Sequence, residues 1–169
     1  ANIISTSYYI DHLVSDEAYL STIQDIKNNN ILLFNSAGNN NSGRAAREQI
    51  EDIILVCSVT SRNSETFDEK SKFSNYGPGV DICAPGNPVY STFQAYSGVQ
   101  NRYGYHSGTS MAAPAAAAVA ALIWSANPNF SADEVRQKLY DSADNIDSKN
   151  PKYLGMLGVG RINAYKAVQ

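Results

Sequence analysis

Basic residues, cysteine, histidine and long hydrophobic runs are all scarce in this sequence, and each scarcity closes off a class of function. Lys and Arg number 13 against 16 Asp and Glu, a formal net charge of -3. The basic residues form no cluster, so nucleic acid is not an expected partner. The longest apolar stretch, Met111 to Trp124, is mostly alanine and contains Pro114. It is too short and too weakly apolar to span a bilayer, so no membrane partner is expected. The chain opens on Ala1-Asn2-Ile3-Ile4 with no basic n-region, and no signal peptide is expected. The two cysteines, Cys57 and Cys83, each sit in an apolar, strand-like run. They are expected to be buried free thiols acting as small hydrophobes rather than a disulfide. Nothing around them has metal-ligand spacing, so no metal site is assigned.

What is present fits one globular domain. A chain of 169 residues is long enough to bury a core, and no internal repeat or linker divides it. Asn2 to Ser7, Ile31 to Phe34, part of Glu51 to Thr60, and Val80 to Cys83 read as strands, the last stopped by Ala84-Pro85-Gly86. Continuous apolar runs of this kind suit strands covered on both faces. Ser15 to Asn28 reads as a helix capped by Ser15, with Leu20, Ile23 and Ile26 near one face. Ser74-Asn75-Tyr76-Gly77-Pro78-Gly79 is turn chemistry. A polar, Tyr- and Gly-rich stretch from Ser91 to Ser107 leads into an alanine-rich helix from Thr109 to Ser125. That helix is apolar on nearly all sides and is expected to be central and buried. Ser131-Ala132-Asp133-Glu134 is a capping box before another helix, and a short helix starts near Asn163. Strands alternating with helices make the class α/β with a mostly parallel sheet.

Chemistry concentrates in Gly108-Thr109-Ser110-Met111-Ala112-Ala113-Pro114. A serine at a helix start is ordinarily a cap. Here it also places a hydroxyl beside free N–H groups and the positive end of the helix dipole, as acyl transfer requires. Asn39, in Ser36-Ala37-Gly38-Asn39, is by itself a loop asparagine after a buried strand. Neither histidine offers an obvious base: His106 lies four residues before Ser110, and His12 precedes a surface helix. No histidine follows Ser110, which excludes the Ser…Asp…His order of α/β-hydrolases.

The seven-residue string resembles the serine signature of the subtilase family, peptidase family S8, and the resemblance covers nearly the whole chain. Ser36-Ala37-Gly38-Asn39 is similar to that family's oxyanion segment. Ser74 to Pro78 and Asp81-Ile82-Cys83-Ala84-Pro85-Gly86 look like its structural landmarks. Asn127-Pro128 and Gly158 to Ala164 match its closing region. The resemblance implies a subtilisin-like three-layer fold, with residues 1–169 as the C-terminal part of a catalytic domain. It implies a serine endopeptidase in which Ser110 is the nucleophile and Asn39, with the Ser110 N–H, holds the oxyanion. Ser5, Thr6 and Ser7 would line one side of the substrate groove, and Ser36, Ala37 and Gly38 the other. Ser7 stands where the family usually has glycine, which is expected to narrow the groove. The family's Asp-[Thr/Ser]-Gly and His-Gly-Thr-His signatures are absent, so Asp and His are expected from an N-terminal portion or a partner chain. The expected partners are that portion and a protein or peptide substrate. No cofactor is needed for the chemistry. Structural calcium is a family habit, but no acidic cluster commits a site. Secretion or a cell-surface location is implied by the family alone. The alternative is a non-catalytic, subtilase-like binding or scaffold protein.

Overall fold

The computed structural model describes residues 1–43, 50–62, 64–92 and 103–169. Four parallel strands form the central sheet: β1 (Ile3–Thr6), β2 (Leu32–Ser36), β3 (Ile53–Thr60) and β4 (Ile82–Asn87), in the order β1-β2-β3-β4. Alternate residues feed opposite layers. Leu32, Phe34, Ile54, Val56 and Ile82 meet α2 (Thr109–Ala126) and α3 (Ala132–Asp141). Leu33 and Ile53 pack with Ile23 of α1 (Glu17–Asn28), while Leu55, Cys57 and Cys83 pack with Ile146 and Leu157. The result is three layers, as the continuous apolar strands require. A short α4 (Ala164–Ala167) closes the chain against the same core as α2.

The ends of several elements differ from the sequence reading. Asp16, not Ser15, caps α1, its side chain accepting from the Tyr19 N–H at 2.8 Å. Ser131 and Glu134 form the expected capping box on α3. β4 does not stop at Ala84-Pro85-Gly86 but runs through it to Asn87. Pro85 lies where the β3–β4 register shifts between Val59 and Thr60, the kind of irregularity that tolerates a residue without an N–H. The Tyr-rich stretch contains an antiparallel hairpin of β5 (Val89–Thr92) and β6 (Tyr103–His106), while its 93–102 part lies outside the described residues. Cross-strand tyrosine pairs hold this hairpin, with Tyr90 4.9 Å from Tyr105 and 6.0 Å from Tyr103.

Two further differences follow from tertiary placement. Cys57 and Cys83 are not free thiols. They are register partners on adjacent parallel strands, with Cα atoms 4.4 Å apart, and are joined as a disulfide. Apolar context identified each strand but carried no information on register, which is what brings the two together. α2 is not buried all round either. Pro114, Ala118, Ala121, Leu122 and Ser125 form an exposed stripe at helical spacing, with Leu122 50% exposed. The two sheet edges are also unlike. β4 is closed by the chain's last segment, where the Cys83 N–H donates to Gly160 O and the Ile162 N–H to Cys83 O. β1 pairs only with β2 among the described residues.

Asp81, just before β4, accepts from the Leu55 N–H at 2.6 Å and hydrogen-bonds Tyr140. Burial outweighs these bonds and raises its carboxyl from the ordinary 3.8 to about 6.

Both the disulfide and the buried carboxyl can be tested in solution. Thiol titration of the unreduced protein in denaturant should find neither cysteine free, and two reactive thiols would refute the disulfide. Between pH 4 and 6 folded Asp81 keeps a proton that the unfolded carboxyl releases, so stability should fall as pH rises through that window. At no more than ~1.4 kcal/mol for each pH unit crossed, the loss should total about 2 kcal/mol. Urea unfolding at pH 4 and pH 7 measures it, and Asp81→Asn should remove this component of the difference.

Candidate active site

Two elements meet at the site: the loop leaving the C-terminal end of β2 and the first turn of α2. Gly108 is the N-cap of α2, and its N–H donates to Gly86 O at 2.9 Å. A Cβ on Gly86 would lie 2.7 Å from Gly108 O, so only glycine at 86 lets β4 come this close to the helix start. Ser110 is therefore set in the first helical turn, where N–H groups have no i−4 carbonyl to meet.

Thr109 locks the two elements together. Its hydroxyl accepts from the Gly38 N–H at 3.1 Å and donates to Asn39 Oδ1 at 2.9 Å. Its own N–H donates to the same Asn39 oxygen at 2.9 Å. A backbone N–H must meet an oxygen, so the orientation of the Asn39 amide is unambiguous. With Oδ1 committed to Thr109, Nδ2 is left as a donor without a hydrogen-bond partner among the described residues. Asn39 itself is exposed, whereas Thr109 is fully buried.

Ser7 makes a third connection. Its hydroxyl donates to Ser110 O at 3.2 Å. In a regular helix that oxygen would accept from the residue four places on, but that residue is Pro114, which has no N–H. The proline thus frees a carbonyl on the nucleophile candidate, and the serine after β1 takes it.

Ser110 lies between two cavities. One, of about 180 Å³, is lined by Ser7, Tyr8, Tyr9, Ser36, Gly38, Asn39, Asn40 and Ser110. The other, of about 210 Å³, is lined by Val89, Ser91, Thr92, His106, Ser110, Met111 and Pro114. The structure therefore gathers Ser7, Ser36, Gly38, Asn39 and Ser110 from three segments. Ser5 and Thr6 lie outside this lining, and the Thr6 hydroxyl is spent on Phe34 O at 2.9 Å. Ala37 is fully buried beside Leu55 and Cys57, so it backs the wall rather than facing the cavity. His106 reaches the second cavity, and His12 stacks on Tyr9 at 6.1 Å.

Sequence reasoning passed over Thr109, Asn75, Tyr8 and Tyr9. Tyr8 and Tyr9 directly follow the groove residues and carried a positional signal. A buried threonine beside Ser110 leaves no such mark. Asn75 read as turn chemistry, yet it is buried, and its Oδ1 accepts from the Asn40 and Ser42 N–H groups at 2.9 and 3.0 Å.

Comparison with known proteins finds relatives over most of the chain. A family model described as "Subtilase family" matches residues 2–160. A thermophilic serine proteinase from Bacillus sp. strain AK1 is 39% identical over 134 residues, covering 79% of this chain and 29% of that protein. A halolysin-like extracellular serine protease from Natrialba magadii is 37% identical over 137 residues, covering 81% of this chain and 23% of that protein. A solved protease structure from Pseudoalteromonas arctica PAMC 21717 superposes with a TM-score of 0.74 at 25% identity, covering 99% of this chain and 50% of that one. The chain thus spans about a quarter of these two curated relatives and half of the solved structure.

The lock yields a prediction that needs no assay of function. Thr109→Val keeps the side-chain volume but leaves the Gly38 N–H without its partner and Asn39 Oδ1 with one donor fewer. Urea denaturation should show a loss of about 1–3 kcal/mol. An unchanged midpoint would mean that the two elements hold together without it.

Proposed function

The chain belongs to the subtilase family, and from that membership we propose that it is the nucleophile-bearing part of a serine endopeptidase domain. One observation carries the reading: the Thr109–Asn39 lock commits Asn39 Oδ1, so its amide nitrogen, which has no hydrogen-bond partner among the described residues, faces the same cavity as Ser110, whose N–H lies in the first helical turn where no i−4 carbonyl meets it. Ser110 Oγ attacks the scissile carbonyl as a general base takes its proton. The carbonyl oxygen becomes an oxyanion held by Asn39 Nδ2 and the Ser110 N–H. The tetrahedral centre collapses to an acyl-enzyme as the leaving amine takes the proton, and water then releases the acyl group. None of these steps needs a cofactor. The cavity lined by Ser7, Ser36 and Gly38 is the natural seat for a substrate side chain, with Tyr8 and Tyr9 as further walls.

The base and its orienting carboxylate come, in this proposal, from a polypeptide outside these 169 residues. Three features support that. The family's Asp and His signatures are absent from the sequence. β1 has one neighbour among the described residues, although the opposite edge of the sheet is closed. The exposed stripe of α2 carries no charge and runs away from Ser110, so a segment packed along it would end beside the nucleophile. An extracellular location is proposed on the strength of the halolysin-like relative, whose name says as much.

Labelling with a serine-directed phosphonate tests the reading. The native assembly should give one adduct, at Ser110. A folded assembly without an adduct would favour the non-catalytic scaffold reading instead. Equally fast labelling of the isolated chain would refute the external base. Asn39→Ala should lower kcat on the order of 10²–10³-fold with KM little changed, a magnitude known from this family's own oxyanion asparagine.

A further inference from the structure

The loop that carries Asn39 is held from two sides, and only the Thr109 side belongs to the site described above. Behind the loop lies Lys70, 7% exposed. Its ammonium donates to Asn41 Oδ1 at 2.8 Å, Ser74 O at 2.8 Å and Ser71 O at 3.1 Å. The rings of Tyr153 and Tyr76 flank it at 4.7 and 5.3 Å. Among the described residues no carboxylate forms an ion pair with it. Burying an unpaired cation is costly, and here burial pulls the lysine below its usual range. Packing alone would be served as well by an apolar side chain. The position instead carries three donors aimed at three oxygens, one of them on the Asn39 loop.

That loop has no slack. Asn75 Nδ2 donates to Ala37 O at 3.0 Å, and the Asn75 N–H donates to Gly38 O at 2.9 Å. Asn75 Oδ1 collects the Asn40 and Ser42 N–H groups. Asn41, at φ +51 in the left-handed region, gives its N–H to Phe73 O at 2.8 Å and its side-chain oxygen to Lys70. Every residue from 37 to 42 is thus tied down, and Asn39 spans the gap between the rear anchors and Thr109.

We propose that Lys70 is a positioning residue for the Asn39 oxyanion donor, acting through Asn41. The inference rests on the protease reading given above. A donor held within a few tenths of an ångström of its place stabilises the oxyanion without reorganising, and a looser loop forfeits part of that.

A double-mutant cycle on the assembled protease tests it. Lys70→Met should lower kcat about tenfold with KM within about twofold, because the lost interaction exists only in the transition state. In an Asn39→Ala background the same substitution should have almost no further effect on kcat, since the group it positions is gone. Asn41→Gly accepts the left-handed backbone and removes the same bond from the exposed side, so it covers the case in which Lys70→Met fails to fold. It should reproduce the loss and the coupling, and Asn41→Asp, which restores an acceptor for Lys70, should recover most of it. Equal losses with and without Asn39, or unchanged kcat in the single variants, would overturn this inference while the protease reading stands. Absence of both hydrolysis and the Ser110 adduct in the unsubstituted protein would overturn both.

Discussion

A single threonine joins the two halves of the site. Thr109 is the first residue of α2, and its hydroxyl and N–H reach the loop that leaves β2. Ser110 and the Asn39 amide sit on separate elements, and this contact couples their positions. With it, the Asn39 amide has one orientation, and its nitrogen has no hydrogen-bond partner among the described residues. The arrangement depends on close approach, which small residues supply: Gly86 and Gly108 at the helix start, Ala112 and Ala113 beneath it. Buried hydrogen bonds of this kind cost little when complete and much when half made, so the network specifies one geometry.

The sheet presents that geometry at the C-terminal ends of its parallel strands. β1 ends just before Ser7, and β2 ends before the Asn39 loop. Pro114 contributes from inside α2, since its missing N–H frees the Ser110 carbonyl for Ser7. Three segments far apart in sequence thereby converge on one serine. The same helix turns an apolar stripe outward, and the same sheet leaves β1 with one neighbour among the described residues. A surface of that composition calls for cover, whereas the β4 edge already has it.

The strands and helices were largely legible because their signals are local. Ile31 to Phe34 and Ile53 to Cys57 are apolar without interruption, and Ser131 with Glu134 forms a cap visible in four letters. The hairpin of β5 and β6 was not legible, since its support is cross-strand contact between tyrosines that alternate with polar residues. Nor was the end of β4, because a proline and a glycine are accommodated there by a register shift and by the helix start. The cysteines were misjudged for a related reason: each lies in its own apolar strand, and only register places one beside the other.

By itself, the sequence determined the α/β class, the helix that follows Ser110, and the pairing of a serine signature with an asparagine segment that marks the family. It did so because helix starts, turns and apolar periodicity are properties of contiguous residues. Tertiary structure alone decided how Asn39 is aimed, which groove residues reach the cavity, and what stands behind the loop. Thr6 and Ala37 looked like groove residues in the chain, yet one spends its hydroxyl on a neighbouring strand and the other is buried. Thr109, Asn75 and Lys70 looked ordinary, and they hold the site. Their roles come from hydrogen bonds across roughly 30 to 70 residues of chain, and such bonds exist only once the layers have packed.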